Sequence, residues 1–359
     1  MIRAALAAAV ALGGAAAFAL YLAASGLREP ADPDGAERVF WVNANESLDH
    51  VARHLDEEGL LPRRPFFGPR MFALYAKFTG KDRAIKSGEY DLAPSLTPIA
   101  ILDKLVLGQV KMHEVTLPEG LRLDEIAMRL QAAGITDAGA FLSRARDPIF
   151  ARRKGLEADS FEGYVYPETY RFRRDTPPEE LLGCMLDELR KRLSADDFAA
   201  IERSGLTLHQ VVTLASIVEK ESVPGPERPL IASVYRNRLA RGMRLQSDPT
   251  VIYGVLQTQG AFDGNLKIVD LRADTPWNTY TRSGLPPGPI ANPSLDAIRA
   301  VLHPADAPYL YFVSRNDGTH AFSTTLTEHN RAVKRYQMRR QAKNEVGANG
   351  AGARNGKRR

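Results

Sequence analysis

The apolar positions in the first part of the chain repeat one pattern. Residues 40–59 and 115–134 lie 75 positions apart. The pattern in each predicts a short strand, a turn and an amphipathic helix ending at a glycine. The matching positions are Val42, Leu48, Val51, Ala52, Leu55 and Gly59 in the first copy and Leu117, Leu123, Ile126, Ala127, Leu130 and Gly134 in the second. A weaker third copy, residues 90–107, keeps the strand and the start of the helix.

The pattern changes after the second copy. Residues 137–205 are mostly helical in spacing, interrupted by the aromatic stretch FEGYVYPETYRF at 161–172. Thr207 and Gln210 form a capping box that opens a helix ending near Ser222.

The last third of the chain predicts two more helices and a hairpin. One helix runs from about Glu227 to Arg241, and Ser294 caps the next. Residues 309–314 and 319–323 are separated by an Asp-Gly turn and predict a β-hairpin. Helices followed by a hairpin, without a regular strand-helix alternation, predict an α+β fold.

The N-terminus predicts a membrane anchor. Residues 4–24 are 21 consecutive uncharged positions, enough for a helix to cross a bilayer. Arg3 and the terminal amine would stay in the cytoplasm, which places the rest of the chain outside the inner membrane. A cleaved signal peptide is the alternative, but its apolar region is normally shorter. We therefore predict a cytoplasmic stub at 1–3, a transmembrane helix at 4–24 and a linker at 25–38.

Composition adds two constraints. The net charge of +5 comes from the C-terminus, because residues 334–359 contain nine Lys/Arg and one Glu. We expect residues 341–359 to form a disordered basic tail, and its last part lacks the interleaved aromatic residues of a single-strand nucleic-acid platform. Cys184 is the only cysteine, which excludes a disulfide framework; its apolar neighbours predict a buried thiol.

The segment LASIVEKES, residues 214–222, carries the candidate chemistry. It places two carboxylates and a lysine in the last turn of an otherwise apolar helix. At about 100° per residue Lys220 points away from the apolar face, and Glu219 and Glu221 lie on its two flanks. Periodicity does not choose between the two acids, and a solvated charged helix end is the simpler structural interpretation.

Several long motifs accompany this segment. They are EGYVYPETY (162–170), LQSDPTVIYG (245–254), NTYTRSGLPPGPIANPS (278–294) and the closing YLYFV and HAFS of the hairpin. With the N-terminal apolar run and the repeats, they follow the order found in the endolytic murein transglycosylases, the YceG-like proteins, which the chain resembles over nearly its whole length. The strand-turn-helix units also resemble LysM domains, which bind glycans containing N-acetylglucosamine; a purely structural α+β subdomain is the alternative.

The resemblance implies an α+β fold in three parts. These are a single N-terminal transmembrane helix, a LysM-like strand-helix subdomain at 39–112 and an α+β lytic transglycosylase catalytic domain at 113–340. It also implies peptidoglycan glycan strands as substrate, a partnership with the lipid bilayer through residues 4–24, and peptidoglycan synthases as partners. We expect no nucleic-acid partner. The expected location is the bacterial inner membrane, single-pass, with the catalytic domain in the periplasm.

The resemblance also assigns the chemistry. The family's essential acid is the second glutamate of the EKE run, which corresponds to Glu221, with Glu219 as the second candidate. The implied reaction cleaves the β-1,4 bond between N-acetylmuramic acid and N-acetylglucosamine in nascent strands, leaves 1,6-anhydro-muramyl ends and terminates elongation. One carboxyl that acts first as acid and then as base suffices, so we expect no cofactor and no metal. The negative end of the helix dipole and the neighbouring Val218 predict a raised pKa for Glu221.

Candidates for binding the sugars carry donors, acceptors or stacking faces. They are Gln246, Asp248, Asn278, Tyr280, His320, Phe322 and Glu162. Two alternatives remain open. A muramidase would hydrolyse the same bond with water and use Asp248 or Glu162 as a second carboxylate, and a non-catalytic protein would serve as a glycan-binding scaffold for cell-wall synthesis.

Overall fold

A computed structural model describes residues 13–14, 17–18, 21–22, 24–221 and 225–338. The predicted tail at 341–359 and most of the predicted anchor at 4–24 lie outside these residues. Within the described ranges no helix combines the length and the apolar character needed to cross a membrane.

The chain folds as two compact units. The first contains the described residues up to Glu114 together with Arg171–Thr176, and the second contains Val115–Tyr170 and the described residues from Pro177 onward. The predicted domain boundary after residue 112 falls two residues before the end of the first segment. The prediction of a continuous second domain did not anticipate that Arg171–Thr176 groups with the first unit.

The first unit is built on a two-stranded antiparallel sheet. Strand β1 (Arg38–Val42) pairs with β2 (Gly88–Leu92), and Phe40 lies opposite Tyr90. Helices α1 (Leu48–Glu57) and α2 (Pro69–Phe78) lie between the two strands in sequence, and α3 (Pro98–Leu107) follows β2. Their apolar faces and the inner residues of the sheet form one core.

The second unit is mainly helical. Strand β3 (His113–Thr116) pairs with β4 (Thr169–Phe172), and the division between the units falls within each of these two strands. Between them in sequence lie α4 (Leu123–Ala132), α5 (Ala138–Ala145) and α6 (Pro148–Arg153). The chain continues through α7 (Pro178–Arg192), α8 (Ala195–Ser204), α9 (Leu208–Glu221), α10 (Arg228–Ala240), α11 (Asp248–Gln259), α12 (Ile268–Arg272) and α13 (Leu295–Leu302). An antiparallel hairpin of β5 (Tyr311–Ser314) and β6 (His320–Ser323) precedes α14 (Leu326–Val333) and a π-helical turn at Lys334–Met338. The predicted α+β class is confirmed.

The local signals in the sequence produce the expected elements. All three copies of the repeat form a strand followed by a helix, and the predicted hairpin forms around its Asp-Gly turn. The amide of Gln210 donates to Oγ1 of Thr207 (3.2 Å), and the amide of Thr207 donates to Oε1 of Gln210 (3.0 Å), so the predicted capping box is present. Ser294 caps α13 by accepting from the amide of Ala297.

The predicted burial of Cys184 is wrong. Its neighbours Leu181, Leu182 and Met185 are buried, but Cys184 lies on the exposed face of α7. Helical periodicity explains the difference, because residues adjacent in sequence point in different directions around a helix.

Candidate active site

Helix α9 carries the two candidate acids at its C-terminal end. Its residues from Val211 to Val218 are all buried, so the helix is held within the second unit by its apolar surface. The Glu and Lys residues of the helix are confined to its last turn. There Lys220 is exposed and donates to the carbonyl oxygen of Gly120 (3.2 Å).

Glu219 is committed to a buried ion pair. Its Oε1 accepts a hydrogen bond from Nη2 of Arg228 (2.7 Å), and the two side chains are 7% and 10% exposed. Its Oε2 accepts from the amide (2.9 Å) and hydroxyl (2.5 Å) of Ser294. Glu219 therefore joins the ends of α9, α10 and α13, which is a structural role.

Replacing Glu219 with glutamine is expected to lower the free energy of unfolding by about 3 kcal/mol, because it removes the buried carboxylate that is hydrogen-bonded to the Arg228 guanidinium. Another carboxylate near Arg228, that of Asp296, is exposed and 3.8 Å away. Urea unfolding followed by circular dichroism measures this change. Glu221→Gln is the matched control, since it removes a carboxylate two residues away. Equal stabilities of Glu219→Gln and the wild type would contradict the structural role of the pair.

Glu221 opens onto a polar cavity of about 340 Å³. Its Oε1 accepts hydrogen bonds from the hydroxyl of Tyr235 (2.9 Å) and the hydroxyl of Ser247 (2.6 Å). Within the part of the chain that the structure describes, Oε2 receives no hydrogen bond. A proton on Glu221 therefore belongs on Oε2, because Oε1 already accepts from two donors.

The surroundings of Glu221 favour its neutral form. Burial raises its pKa above the ordinary value, the charge of nearby Asp248 adds to this effect, and the hydrogen bonds from Ser247 and Tyr235 oppose it. Burial also raises the pKa of Tyr235 well above its ordinary value, so Tyr235 remains a hydrogen-bond donor. Glu221 thus combines a raised pKa with two donors that stabilise its anion, which suits a group that gives up a proton and takes one back.

Replacing Tyr235 with phenylalanine is expected to raise the pKa of Glu221 further, because it removes one donor to the carboxylate. The alkaline limb of the pH–rate profile for glycan cleavage should move up by about one pH unit, the equivalent of 1.4 kcal/mol. Tyr309→Phe is the control, because Tyr309 makes no hydrogen bond to Glu221. An unshifted alkaline limb in Tyr235→Phe would show that the hydrogen bond from Tyr235 does not lower the pKa of Glu221.

Three predicted binding residues share the cavity with Glu221. Asp248 and Tyr280 are joined by a hydrogen bond from the tyrosine hydroxyl to Oδ1 of the aspartate (2.6 Å). Gln246 lines the same cavity and adopts a left-handed backbone conformation, with φ of 52°. This uncommon conformation for a residue other than glycine lies next to Ser247, one of the donors to Glu221.

Asn278 is fully buried next to this cavity. Its Nδ2 donates to the carbonyl oxygens of Asp270, Leu271 and Ala273, and its Oδ1 accepts from the amide of Tyr280 (2.9 Å). Its direct contact with substrate stays a prediction, but a ligand would have to compete with these backbone partners.

His320 and Phe322 lie on β6, outside the residues that line the Glu221 cavity. Nδ1 of His320 is 2.8 Å from Oε2 of Glu227. Positive charge on His320 acts to lower the pKa of Glu221. Phe322 packs against Tyr309 and Phe312. Both contribute to the hairpin, and their direct contact with sugars stays a prediction.

Glu162 lines a different cavity from Glu221. That cavity has a volume of about 720 Å³ and is also lined by His209, in the first turn of α9. Its Oε1 accepts from Nδ2 of Asn292 (3.1 Å), and its Oε2 accepts from the hydroxyl of Tyr253 (3.2 Å). Both oxygens also accept from the amide of Leu123. The structure therefore does not bring Glu162 and Glu221 together.

The model of the YceG-like family matches residues 40–335. This chain belongs to the YceG-like family. A relative from Bacillus subtilis, named endolytic murein transglycosylase, is 30% identical over 342 residues, covering 90% of this chain and 91% of the relative. A relative of the same name from Streptococcus pneumoniae is 31% identical over 324 residues, and the match spans 81% of this chain and 57% of that longer protein.

A solved structure agrees with the family assignment. The crystal structure of a YceG-like protein from Listeria monocytogenes matches with a TM-score of 0.56 and 30% sequence identity, covering 82% of this chain and 98% of that one.

The cavity of this YceG-like chain also contains residues that the sequence reasoning missed. They are Tyr235, Arg238, Leu245, Tyr311, Phe312, Leu326 and His329, and Ser247 lies beside them as a donor to Glu221. A signal was available for two of them. Tyr235 and Arg238 are three residues apart, so helical spacing places them on the same face of α10 as the apolar Ile231 and Val234.

Arg238 holds the cavity together through backbone contacts. Its Nε donates to the carbonyl oxygen of Leu310 (2.7 Å), its Nη1 donates to that of Leu245 (2.7 Å), and its guanidinium lies 5.1 Å from the ring centre of Tyr311. These contacts tie the β-hairpin to the segment that carries Gln246 and Ser247.

Proposed function

We propose that this protein is an endolytic lytic transglycosylase that cleaves peptidoglycan glycan strands, with Glu221 as its single acid and base. The observation that carries the proposal is the environment of Glu221: a carboxyl with a raised pKa, one oxygen held by two hydroxyl donors and the other open to a polar cavity. The relatives named endolytic murein transglycosylase support the substrate class.

The first chemical step is protonation. The proton on Oε2 of Glu221 passes to the glycosidic oxygen as the bond from that oxygen to C1 of N-acetylmuramic acid breaks, and an oxocarbenium-like centre develops at C1. Glu221 is then a carboxylate. Tyr235 and Ser247 donate to its Oε1 and stabilise this charge without any reorganisation.

The second step uses the same carboxylate as a base. It removes the proton from the 6-hydroxyl of the muramyl residue, and O6 attacks C1 from within the same sugar. The product is a 1,6-anhydro-muramyl end, and Glu221 regains its proton. Water is not consumed, so the reaction requires no second catalytic carboxylate.

The products test this function directly. Digestion of purified glycan strands by the wild-type protein, followed by mass spectrometry, is expected to yield 1,6-anhydro-muramyl ends. Reducing ends in their place, each heavier by one water, would overturn the lytic assignment.

Hydrolysis by a muramidase mechanism is the second candidate function. The observation in its favour is Asp248, a carboxylate in the same cavity as Glu221, which could activate water. Its hydrogen bond from Tyr280 and its charge effect on Glu221 also fit a supporting role in the lytic reaction. The mass of the products separates the two reactions. A purely glycan-binding scaffold would give no cleavage at all.

The N-terminal region, residues 1–112, completes the proposal. The sequence of residues 4–24 would serve as a single-pass anchor, with the catalytic domain at the outer face of the inner membrane, where nascent strands are made and peptidoglycan synthases would be the partners. The uncharged run after Arg3 supports this topology. The strand-helix-helix-strand order of β1, α1, α2 and β2 supports a LysM-like role in holding the glycan.

A further inference from the structure

A second cavity lies in the same unit as Glu221 but at a distance from it. It has a volume of about 720 Å³, within the range of small-molecule sites, and we call it the Trp277 cavity. Its lining includes Trp277, Tyr253, Arg146 and Arg152. The mechanism proposed for Glu221 uses none of these side chains.

Two helices connect this cavity with the Glu221 cavity. Helix α9 begins at the Trp277 cavity near His209 and ends at Glu221, whereas α11 begins at Asp248 in the Glu221 cavity and reaches the Trp277 cavity at Tyr253. His209 and Glu221 are twelve residues apart, about 18 Å of helix. On α11, Asp248 and Tyr253 are five residues apart, about 7.5 Å of helix. The two cavities are therefore separate sites along one pair of helices.

A loop gives the two cavities a common border. Pro276, Trp277 and Pro287 line the Trp277 cavity and also a further cavity of about 320 Å³, formed by residues 276–287. Tyr280, in the same loop, lines the Glu221 cavity. The loop thus contributes residues to all three cavities, which fits one elongated ligand.

The Trp277 cavity has the chemistry of a sugar site. Trp277 is partly exposed and is held by an edge-on contact with Tyr253, with ring centres 5.3 Å apart. A fixed aromatic face suits the apolar face of a pyranose ring. Arg146 is held by Asp124 (2.7 Å) and Arg152 by Asp159 (2.6 Å), so donors and acceptors for hydroxyl and acetamido groups are fixed at the rim.

We propose that the Trp277 cavity is a remote glycan subsite that binds a sugar of the same strand outside the two sugars joined by the bond cleaved at Glu221. This inference rests on the proposed function. A strand that fills both cavities gains binding energy that a short oligomer cannot, so cleavage favours long strands and internal bonds. The separation of the cavities then sets the shortest fragment that the enzyme releases efficiently.

The test compares long strands with short oligomers. Trp277→Leu and Arg152→Ala are expected to lower kcat/KM on long strands about tenfold, equivalent to 1.4 kcal/mol, and to broaden the length distribution of the products. Turnover of an oligomer of two disaccharides should stay within about twofold of the wild type. Phe198→Leu is the matched control, because Phe198 is a partly exposed aromatic residue in the same unit that lines neither cavity.

The outcomes separate this inference from the proposed function. If the wild type produces anhydro ends and both variants match it on long strands, the subsite is excluded and the lytic function stands. Equal losses on long and short substrates in both variants would also exclude the subsite. Arg152 is 68% exposed, so Arg152→Ala keeps the test valid if Trp277→Leu fails to fold. A wild type without anhydro ends overturns the proposed function itself.

Discussion

Replacing Glu221 with glutamine is expected to lower the rate of strand cleavage by about 10³-fold, while the protein stays folded. Glutamine keeps the shape of the side chain and can still accept from Tyr235 and Ser247 through its amide oxygen. It has no proton to give to the glycosidic oxygen and cannot take one from the 6-hydroxyl. Loss of a positioned acid and base typically costs 10²–10⁴ in rate. The number of anhydro ends formed per unit time measures the effect.

Glu219→Gln provides the matching comparison. It changes the same residue type two positions earlier, in a buried ion pair that lies outside the residues lining the Glu221 cavity. We expect Glu219→Gln to lose stability and keep a substantial rate per folded molecule, and Glu221→Gln to keep stability and lose the rate. Unchanged cleavage by Glu221→Gln would remove Glu221 from the mechanism, and loss of rate in Glu219→Gln at full stability would transfer the role to Glu219.

Stability is expected to fall as the pH rises through the titration of Glu162. Burial raises the pKa of Glu162 to about 8 from the ordinary 4.5. Because the folded state holds the proton more tightly than the unfolded chain, the contribution is fully present below pH 4.5 and is lost as the pH approaches 8. At 1.36 kcal/mol per pKa unit, the loss is at most about 5 kcal/mol.

Glu162→Gln isolates this contribution. The amide stays neutral at every pH and can occupy the same position among Leu123, Tyr253 and Asn292. Asp124 and Arg146, the nearby charges, are unchanged in the variant. Urea unfolding between pH 4.5 and 8.5 should show the wild type losing stability relative to Glu162→Gln, and parallel curves would contradict the raised pKa.

Local patterns predicted the elements well because each depends on residues close in sequence. The capping box at Thr207 and Gln210, the cap at Ser294 and the Asp-Gly hairpin all formed as expected. The α+β class followed from the order of these elements.

The candidate site depends on contacts that local patterns do not contain. Periodicity left Glu219 and Glu221 equivalent; the structure separates them because Arg228 and Ser294 reach one acid, and Tyr235 and Ser247 reach the other. These partners come from three other segments of the chain. The sequence motif suggested Asn278 as a sugar-binding residue. In the structure its side chain is buried and its amide donates to backbone carbonyl oxygens.

The exposed thiol of Cys184 makes the chain a natural single-cysteine protein for spectroscopy. A fluorophore or spin label attached there needs no prior removal of other cysteines, because the sequence has none. Partial desolvation of the sulfur by its neighbours raises the pKa of the thiol, so maleimide coupling will be slow at neutral pH and faster in mildly alkaline buffer, where more thiolate is present. The environment of α7 can then be compared with and without glycan in an otherwise unaltered enzyme.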